Sequence, residues 1–235
     1  MILLVAELFQ ALILLSFIIF EREHVHMNQL ELDKMLDRHE QWLKDERKEH
    51  PEWRADFKDM QLSGNDFRQS VLELAEFNNA CLYNADMRYT TLTYCIFDHA
   101  FMNNTDLSNA SVSNASLRSA DLSFANLYDA DFHKSNLEGV TLRFATMYRV
   151  NLFNARLKHA DLKYATLVNA DLSCANLRDA IFNGANLQCA NLMGADLKNA
   201  DFRGARLDKA TLSLAKNIDT IITDKFTSFV EAIVD

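Results

Sequence analysis

The residues of this sequence best suited to metal binding or nucleophilic chemistry are seven histidines and four cysteines in 235 residues. The histidines are His24, His26, His39, His50, His99, His133 and His159, and the cysteines are Cys81, Cys95, Cys174 and Cys189. Zinc sites need short ligand spacings such as C-x-x-C, and none occurs. A nucleophile elbow and a phosphate-binding loop are absent as well. The sequence therefore predicts no enzyme, no cofactor and no metal site.

Most of these residues lie within a five-residue repeat that runs from residue 55 to about residue 215. Every fifth position from 57 to 212 is apolar, and a small residue, most often Ala, precedes it by two. Asp or Asn stands between the two in half of the repeats, and we interpret these side chains as hydrogen-bond partners of turn backbone. A period of five fits neither a helix nor a strand, and a fixed short period indicates a solenoid.

The units Ala-Asp-Leu-Lys-Tyr at 160–164 and Ala-Asn-Leu-Gln-Cys at 185–189 show the repeat clearly. This pattern resembles the pentapeptide-repeat family of bacteria and phages, with a more distant resemblance to its quinolone-resistance branch. The resemblance implies an all-β solenoid, a right-handed quadrilateral β-helix with four pentapeptides per square coil. Residues 55–217 would then form about eight coils, closed by helical caps at both ends.

Four pentapeptides per coil place residue n over residue n+20. Phe57, Phe77 and Phe97 are then predicted to form one interior column, and Phe182 and Phe202 another. Large rings stacked on large rings allow successive layers to interdigitate.

The outer surface is predicted to carry a cluster of large side chains in three successive coils, which we call the aromatic corner. Its members are Phe124, Tyr128, Phe144, Tyr148, Tyr164 and Val168. One interpretation is a contact site for a partner protein, with Arg149 and Lys163 as its polar rim. The other interpretation is an aromatic ladder that only stabilises the stacked coils.

The remaining reactive side chains are predicted to lie apart from one another. His99 and His159 share a column but are three coils apart, or about 14 Å, which is too far for joint metal ligation. His159 is expected to pair with Asp179 in the next coil. Cys174 and Cys189 are predicted to lie on different faces and to remain reduced thiols.

The two segments before the repeat differ in character. The first segment, residues 1–26, is strongly apolar over residues 1–20, and three interpretations are open. It is a membrane anchor that tethers the protein to the inner membrane, or a helix packed on a partner or on the solenoid end. The third interpretation is an extension upstream of a start at Met27. Residues 27–54 are predicted to form an amphipathic helical N-cap, in which the helix covers residues 28–49 and is ended by Pro51. Solenoids need such a cap because the first coil otherwise exposes its core.

The last segment, residues 218–235, is predicted to be a C-terminal capping or dimerisation helix. Its apolar residues at helical spacing include Ile222, Phe226, Phe229, Val230 and Ile233. Capping alone and capping combined with a homodimer contact are both open.

The net charge of −9 is found mostly outside the repeats, where acids and bases nearly balance on every face. The lack of a basic face predicts no direct nucleic-acid binding. The sequence predicts a cytoplasmic, non-enzymatic scaffold or adaptor for protein–protein interaction. The alternative, implied by the quinolone-resistance branch, is a DNA mimic that binds a type II topoisomerase such as DNA gyrase, although that function needs a dense acidic stripe.

Overall fold

A computed structural model describes residues 26–46 and 48–234, together with the single positions 7, 10 and 11. Helix α1 spans Gln29–Lys44, and a short 3-10 turn spans Pro51–Trp53. The repeats follow, and a second 3-10 turn spans Ile218–Thr220. The membrane-anchor prediction for residues 1–20 falls almost entirely outside the described residues. Within the described residues, no helix has the length and apolar character that crossing a membrane requires.

Each pentapeptide of the repeat contributes one parallel β-bridge, formed by the residue just before the buried centre. The bridges join residue n to residue n+20, from Asp56↔Glu76 to Asp196↔Lys216. No longer strand is present in the described part of the chain. The period of twenty confirms the prediction of four pentapeptides per coil.

The core is a continuous column of centre side chains, all at most 1% exposed from position 57 to position 212. The phenylalanine stacks are confirmed, because the rings of Phe57 and Phe77 lie 4.7 Å apart and those of Phe77 and Phe97 4.6 Å apart. Phe182 and Phe202 stack at 4.8 Å. Burial of each such side chain contributes roughly 1.5–3 kcal/mol to the free energy of folding. Side-chain packing therefore holds successive coils together in addition to the backbone hydrogen bonds.

The corners of the coils depend on a left-handed backbone conformation at the last residue of each pentapeptide, for example φ 58° at Cys174. The Asp or Asn before the centre accepts a hydrogen bond from the amide two residues later, as in Ser123 N to Asp121 Oδ1 at 3.0 Å. The same bond joins Tyr128 N to Asn126 Oδ1 at 3.3 Å. These bonds confirm the predicted role of the repeated Asp and Asn side chains in the turns.

Helix α1 lies on the open end of the first coil. Asn28 caps the helix by accepting a hydrogen bond from the amide of Glu31 at 3.0 Å. Leu32 and His39 are fully buried, and Trp42 is 7% exposed. The apolar side of the helix therefore covers the end of the solenoid core.

The structure corrects the predicted helical form of the C-terminal segment 218–235, where the only helical element among the described residues is the 3-10 turn Ile218–Thr220. Ile222, Ser228 and Ile233 instead form parallel bridges with the preceding coil, at offsets slightly longer than twenty. A short isolated helix is marginal in water, whereas the preceding coil offers a complete set of backbone partners and suits β-branched residues. The segment therefore continues the solenoid as a final, looser coil.

Candidate functional site

The inner half of the aromatic corner is a stack of three rings, which we call the aromatic ladder: Phe124, Phe144 and Tyr164. The first two rings are 5.0 Å apart with an interplanar angle of 8°, and the last two are 5.0 Å apart at 15°. All three residues have positive φ near 60° and are half-buried. This geometry is that of a ladder that stiffens three successive coils.

The outer half consists of Tyr128 and Tyr148, which we call the tyrosine pair, with Val168 half-buried beyond them. The two tyrosines are 40% and 39% exposed and lie in adjacent coils, joined through Asp129 N to Tyr148 O at 3.0 Å. The guanidinium of Arg149 lies 5.8 Å from the centroid of the Tyr128 ring. The predicted corner therefore divides into a stacked ladder and an exposed pair with a cation beside it.

Arg149 is itself held in place by an ion pair, with its Nε 2.7 Å from Asp129 Oδ1. This contact keeps the guanidinium at the edge of the tyrosine pair. Lys163, the other predicted rim residue, lies on the ladder side, where its ammonium is 3.7 Å from Asp161 Oδ2. The two predicted rim cations thus lie beside different halves of the corner, Arg149 beside the tyrosine pair and Lys163 beside the ladder.

The residues predicted for a dimer contact lie on the final coil, and four of them are exposed. Phe226 is 69% exposed, Val230 63%, Ile233 52% and Ile222 45%, whereas Phe229 packs partly against the core. The exposed side chains belong to a terminal coil that no helix covers in the described part of the chain.

Three backbone donors of the final coil have no partner in the part of the chain that the structure describes. In inner coils the amide of each centre residue donates to the next coil, as Phe202 N does to Ile222 O at 2.7 Å. The equivalent amides of Thr223, Phe229 and Val234 make no hydrogen bond among the described residues. This edge is suited to pairing with another chain.

Sequence reasoning missed a second exposed group near the N-terminal end. Tyr89 and Tyr94 are 58% and 53% exposed, more than the tyrosine pair, and Val71 and Leu74 are 42% and 40% exposed. The signal was available, because Tyr89 and Tyr94 occupy the same corner position of the pentapeptide as Phe124.

The charged side chains of the solenoid mostly neutralise one another. Arg68 and Asp66 approach to 2.5 Å, and Arg88 and Asp86 to 2.6 Å. Hydrogen bonds from these arginines hold the pKa of both aspartates below the usual range. These two carboxylates are therefore each paired with an arginine of the same pentapeptide.

The reactive side chains that the structure describes do not converge. Among the described residues, no group of three or more His, Cys, Asp or Glu side chains is arranged to hold a metal ion. His159 and Asp179 form the predicted contact, at 3.9 Å. Burial raises the pKa of the Cys95 thiol, while Cys174 and Cys189 are exposed.

Comparison with known families identifies the repeat. The profile of the family described as Pentapeptide repeats matches eight copies, in overlapping segments that together span residues 54–213. No curated protein matches the sequence.

Several solved structures resemble the chain. QnrB1, a plasmid-mediated fluoroquinolone resistance protein, is 16% identical, covers 77% of this chain and 92% of its own, and has a TM-score of 0.51. HetL, a protein involved in heterocyst differentiation regulation from the cyanobacterium Nostoc sp. strain PCC 7120, is 23% identical over 77% of this chain and 87% of its own, with a TM-score of 0.48. At these identities the likeness to QnrB1 shows the fold, the right-handed quadrilateral β-helix.

Proposed function

We propose that this chain, which belongs to the pentapeptide-repeat family, is a non-enzymatic scaffold or adaptor that binds another protein through the aromatic corner. The observation that carries the proposal is the exposed tyrosine pair, Tyr128 and Tyr148, beside the cation of Arg149. Tyr and Arg, together with Trp, are enriched among the residues that contribute most of the binding energy at protein interfaces.

The ladder behind the tyrosine pair supports this function. Phe124, Phe144 and Tyr164 are stacked at 5.0 Å and fix the backbone of three successive coils. A surface that is rigid before binding loses little conformational entropy when a partner docks. The two interpretations of the corner are therefore compatible, because the ladder makes rigid the surface on which the tyrosine pair lies.

Capture of partners from a lysate of the native host tests this proposal. The double variant Tyr128→Ser, Tyr148→Ser removes the exposed pair and leaves the ladder intact. The matched control, Tyr89→Ser with Tyr94→Ser, removes two tyrosines that are more exposed and lie elsewhere. We expect one partner retained by the parent and the control and lost by the first variant. A partner that all three proteins retain equally, or none, would contradict the proposal.

The alternative function is binding to a type II topoisomerase by mimicry of DNA. The rod-shaped fold that this chain shares with QnrB1 favours this alternative. The pairing of acids with arginines, as at Asp66 and Asp86, weighs against it, because mimicry of phosphates needs unpaired acidic charge. A supercoiling assay with DNA gyrase separates the two functions. Inhibition at stoichiometric protein would favour the alternative, and unchanged supercoiling is the result we expect.

We further propose that the final coil joins a second copy of the chain. The exposed side chains of Ile222, Phe226, Val230 and Ile233, and the half-buried Phe229, support this contact. A symmetric dimer would cover this apolar surface and the unpaired amides beside it.

A further inference from the structure

Helix α1 and the first two coils border a groove on one side of the N-terminal cap, which we call the cap groove. Two adjoining cavities of about 600 and 380 Å³ form it, and both are lined by Asp33, Leu36, Arg68, Gln69 and Ser70. Tyr89, which is 58% exposed, lines the larger cavity, and Val71, which is 42% exposed, lines the smaller one. The lining residue Arg88 lies two coils before Tyr128 in the same column, so the groove is separate from the aromatic corner.

The strand edge of the first coil is open at Val71. Elsewhere along this edge the capping segment supplies partners, since Met27 N donates to Gln61 O at 3.0 Å and His39 Nε2 donates to Glu73 O at 3.0 Å. Val71 N and Val71 O make no hydrogen bond among the described residues.

The equivalent residue of the next coil, Thr91, pairs through both of its backbone groups. Thr91 N donates to Ser70 O at 2.9 Å, and Thr91 O accepts from Leu72 N at 2.8 Å. Val71 therefore retains one donor and one acceptor with which an extended segment of another chain can pair.

The cap groove carries a surplus of negative charge. Its charged lining residues and their ion-pair partners comprise five carboxylates and three cations: Asp33, Asp37, Glu40, Asp66 and Asp86 against Lys44, Arg68 and Arg88. Three of the carboxylates are neutralised. Asp66 pairs with Arg68 at 2.5 Å, Asp86 with Arg88 at 2.6 Å and Glu40 with Lys44 at 2.6 Å.

The two remaining carboxylates belong to Asp33 and Asp37, which lie one turn apart on α1 and are exposed. Neither has a cation within 4 Å among the described residues, and Asp33 accepts instead from the neutral amide Nε2 of Gln29 at 2.9 Å. The other cations of the helix in this region, Lys34 and Arg38, line neither cavity. The surplus charge is therefore concentrated on the side of α1 that faces the open edge at Val71.

We propose that the cap groove binds an extended basic segment of a second protein. The backbone of that segment pairs with Val71 N and O, as residues 26–27 pair with Gln61 on the neighbouring face. A Lys or Arg side chain of the segment binds the carboxylates of Asp33 and Asp37. The open edge selects an extended backbone, and the surplus charge selects a basic side chain. This site is additional to the aromatic corner and goes beyond the proposed function.

Three compounds provide the probes: the hexapeptide Thr-Arg-Val-Arg-Val-Thr with acetylated and amidated ends, its counterpart Thr-Gln-Val-Gln-Val-Thr, and ethylguanidinium. Each is titrated into ¹⁵N-labelled full-length protein, and amide chemical shifts report the position and affinity of binding. We expect the basic peptide to shift the amides of Val71 and of α1 around Asp33 and Asp37. The neutral peptide lacks the charge and ethylguanidinium lacks the backbone, so each should bind at least about tenfold more weakly.

Two variants test the position of the site, each with a matched control. Val71→Pro removes the backbone donor of the open edge, a change that an edge strand tolerates, and Val71→Thr keeps that donor with a side chain of similar shape. Asp33→Asn with Asp37→Asn removes the unpaired charges. Glu31→Gln with Glu46→Gln removes two charges from the same capping segment at positions that line neither cavity. We expect Val71→Pro and the double Asp variant each to weaken binding of the basic peptide about tenfold, and both controls to bind as the parent does.

Equal binding of the Arg and Gln peptides, binding of ethylguanidinium as tight as that of the basic peptide, or no binding of any probe would overturn the inference. Unchanged binding to the double Asp variant would do the same, and this arm decides the matter if circular dichroism shows that Val71→Pro does not fold. The aromatic corner is tested by Tyr128→Ser with Tyr148→Ser, which leave the cap groove intact, so either proposal can fail without the other.

Discussion

The two ends of the solenoid differ in how far the core and the strand edge of the terminal coil are covered. At the N-terminal end, Leu32 of α1 is fully buried on the first coil, and side chains of the capping segment satisfy part of the strand edge. Gln29 donates to Asp66 O at 2.9 Å and accepts from Asp66 N at 3.0 Å. At the C-terminal end, Phe226 and Val230 are exposed and the last centre amides have no partner among the described residues.

The N-terminal end of the core is therefore covered by a cap, whereas the C-terminal coil keeps an exposed apolar surface. His39 lies at the capped N-terminal end. Its Nδ1 accepts a hydrogen bond from Ala55 N at 2.9 Å, and its Nε2 donates one to Glu73 O at 3.0 Å. A solenoid terminus without such a cap exposes both its core and an unpaired ladder. The open C-terminal coil is therefore the end at which we place a second copy.

The largest effect should follow from weakening the N-terminal cap. Leu32→Ala removes a fully buried side chain between α1 and the core and should lower the free energy of unfolding by about 2–5 kcal/mol. The control, Leu30→Ala, changes a leucine on the same helix that is 65% exposed and should cost less than about 0.5 kcal/mol. Urea unfolding followed by circular dichroism measures both. Equal losses for the two variants would mean that α1 does not close the core.

A change at the open end should affect association rather than stability. Phe226→Ser with Val230→Ser removes two exposed apolar side chains and should weaken self-association at least about tenfold. The free energy of unfolding of the single chain should change by less than about 0.5 kcal/mol per site. Sedimentation velocity over a range of concentrations reports the association. Leu74→Ser, at an exposed site near the other end, is the control, and a parent protein that remains monomeric would refute the contact.

The smallest effect is a pH dependence confined to the closed end. Burial, together with the positive charges of Arg54 and Lys48, holds the pKa of His39 below its usual value of 6.5. The unfolded chain then binds more protons than the folded chain in the window below 6.5, so stability is lost as the pH falls through that window. We expect amide exchange in the first coil to accelerate on acidification.

His39→Gln should reduce the pH dependence of that exchange, because glutamine does not titrate. His99→Gln, which removes an exposed imidazole from the middle of the solenoid, should leave the dependence as it is in the parent. An unchanged pH profile in His39→Gln would assign the effect to another group.

The interior of the solenoid could be predicted because the repeat resembles the pentapeptide-repeat family, and that resemblance implies four pentapeptides per coil. The distances between Phe57, Phe77 and Phe97 follow from the twenty-residue register alone. The roles of Asp121 and Asn126 in the turns could also be predicted, since short polar side chains bond to nearby backbone.

The C-terminal coil could not be predicted because its extra residues break the register. Once the period of five is lost, the apolar residues from Ile222 to Ile233 match helical spacing, and only the ladder of the preceding coil selects the extended form. The position of the Tyr164 ring could not be predicted for a different reason. The sequence places Gly184 below Tyr164 in the same column, but the position of the ring over that glycine depends on the side-chain torsions of the stack.

Photo-crosslinking in the native host tests the central claim most directly, with p-benzoylphenylalanine in place of Tyr148 in one protein and in place of Tyr94 in another. Tyr94 is 53% exposed and Tyr148 39%, so random collisions would favour the probe at 94. Our account predicts one discrete adduct from position 148 and none of that mass from position 94. The same adduct from both positions, or an adduct from position 94 alone, would contradict it.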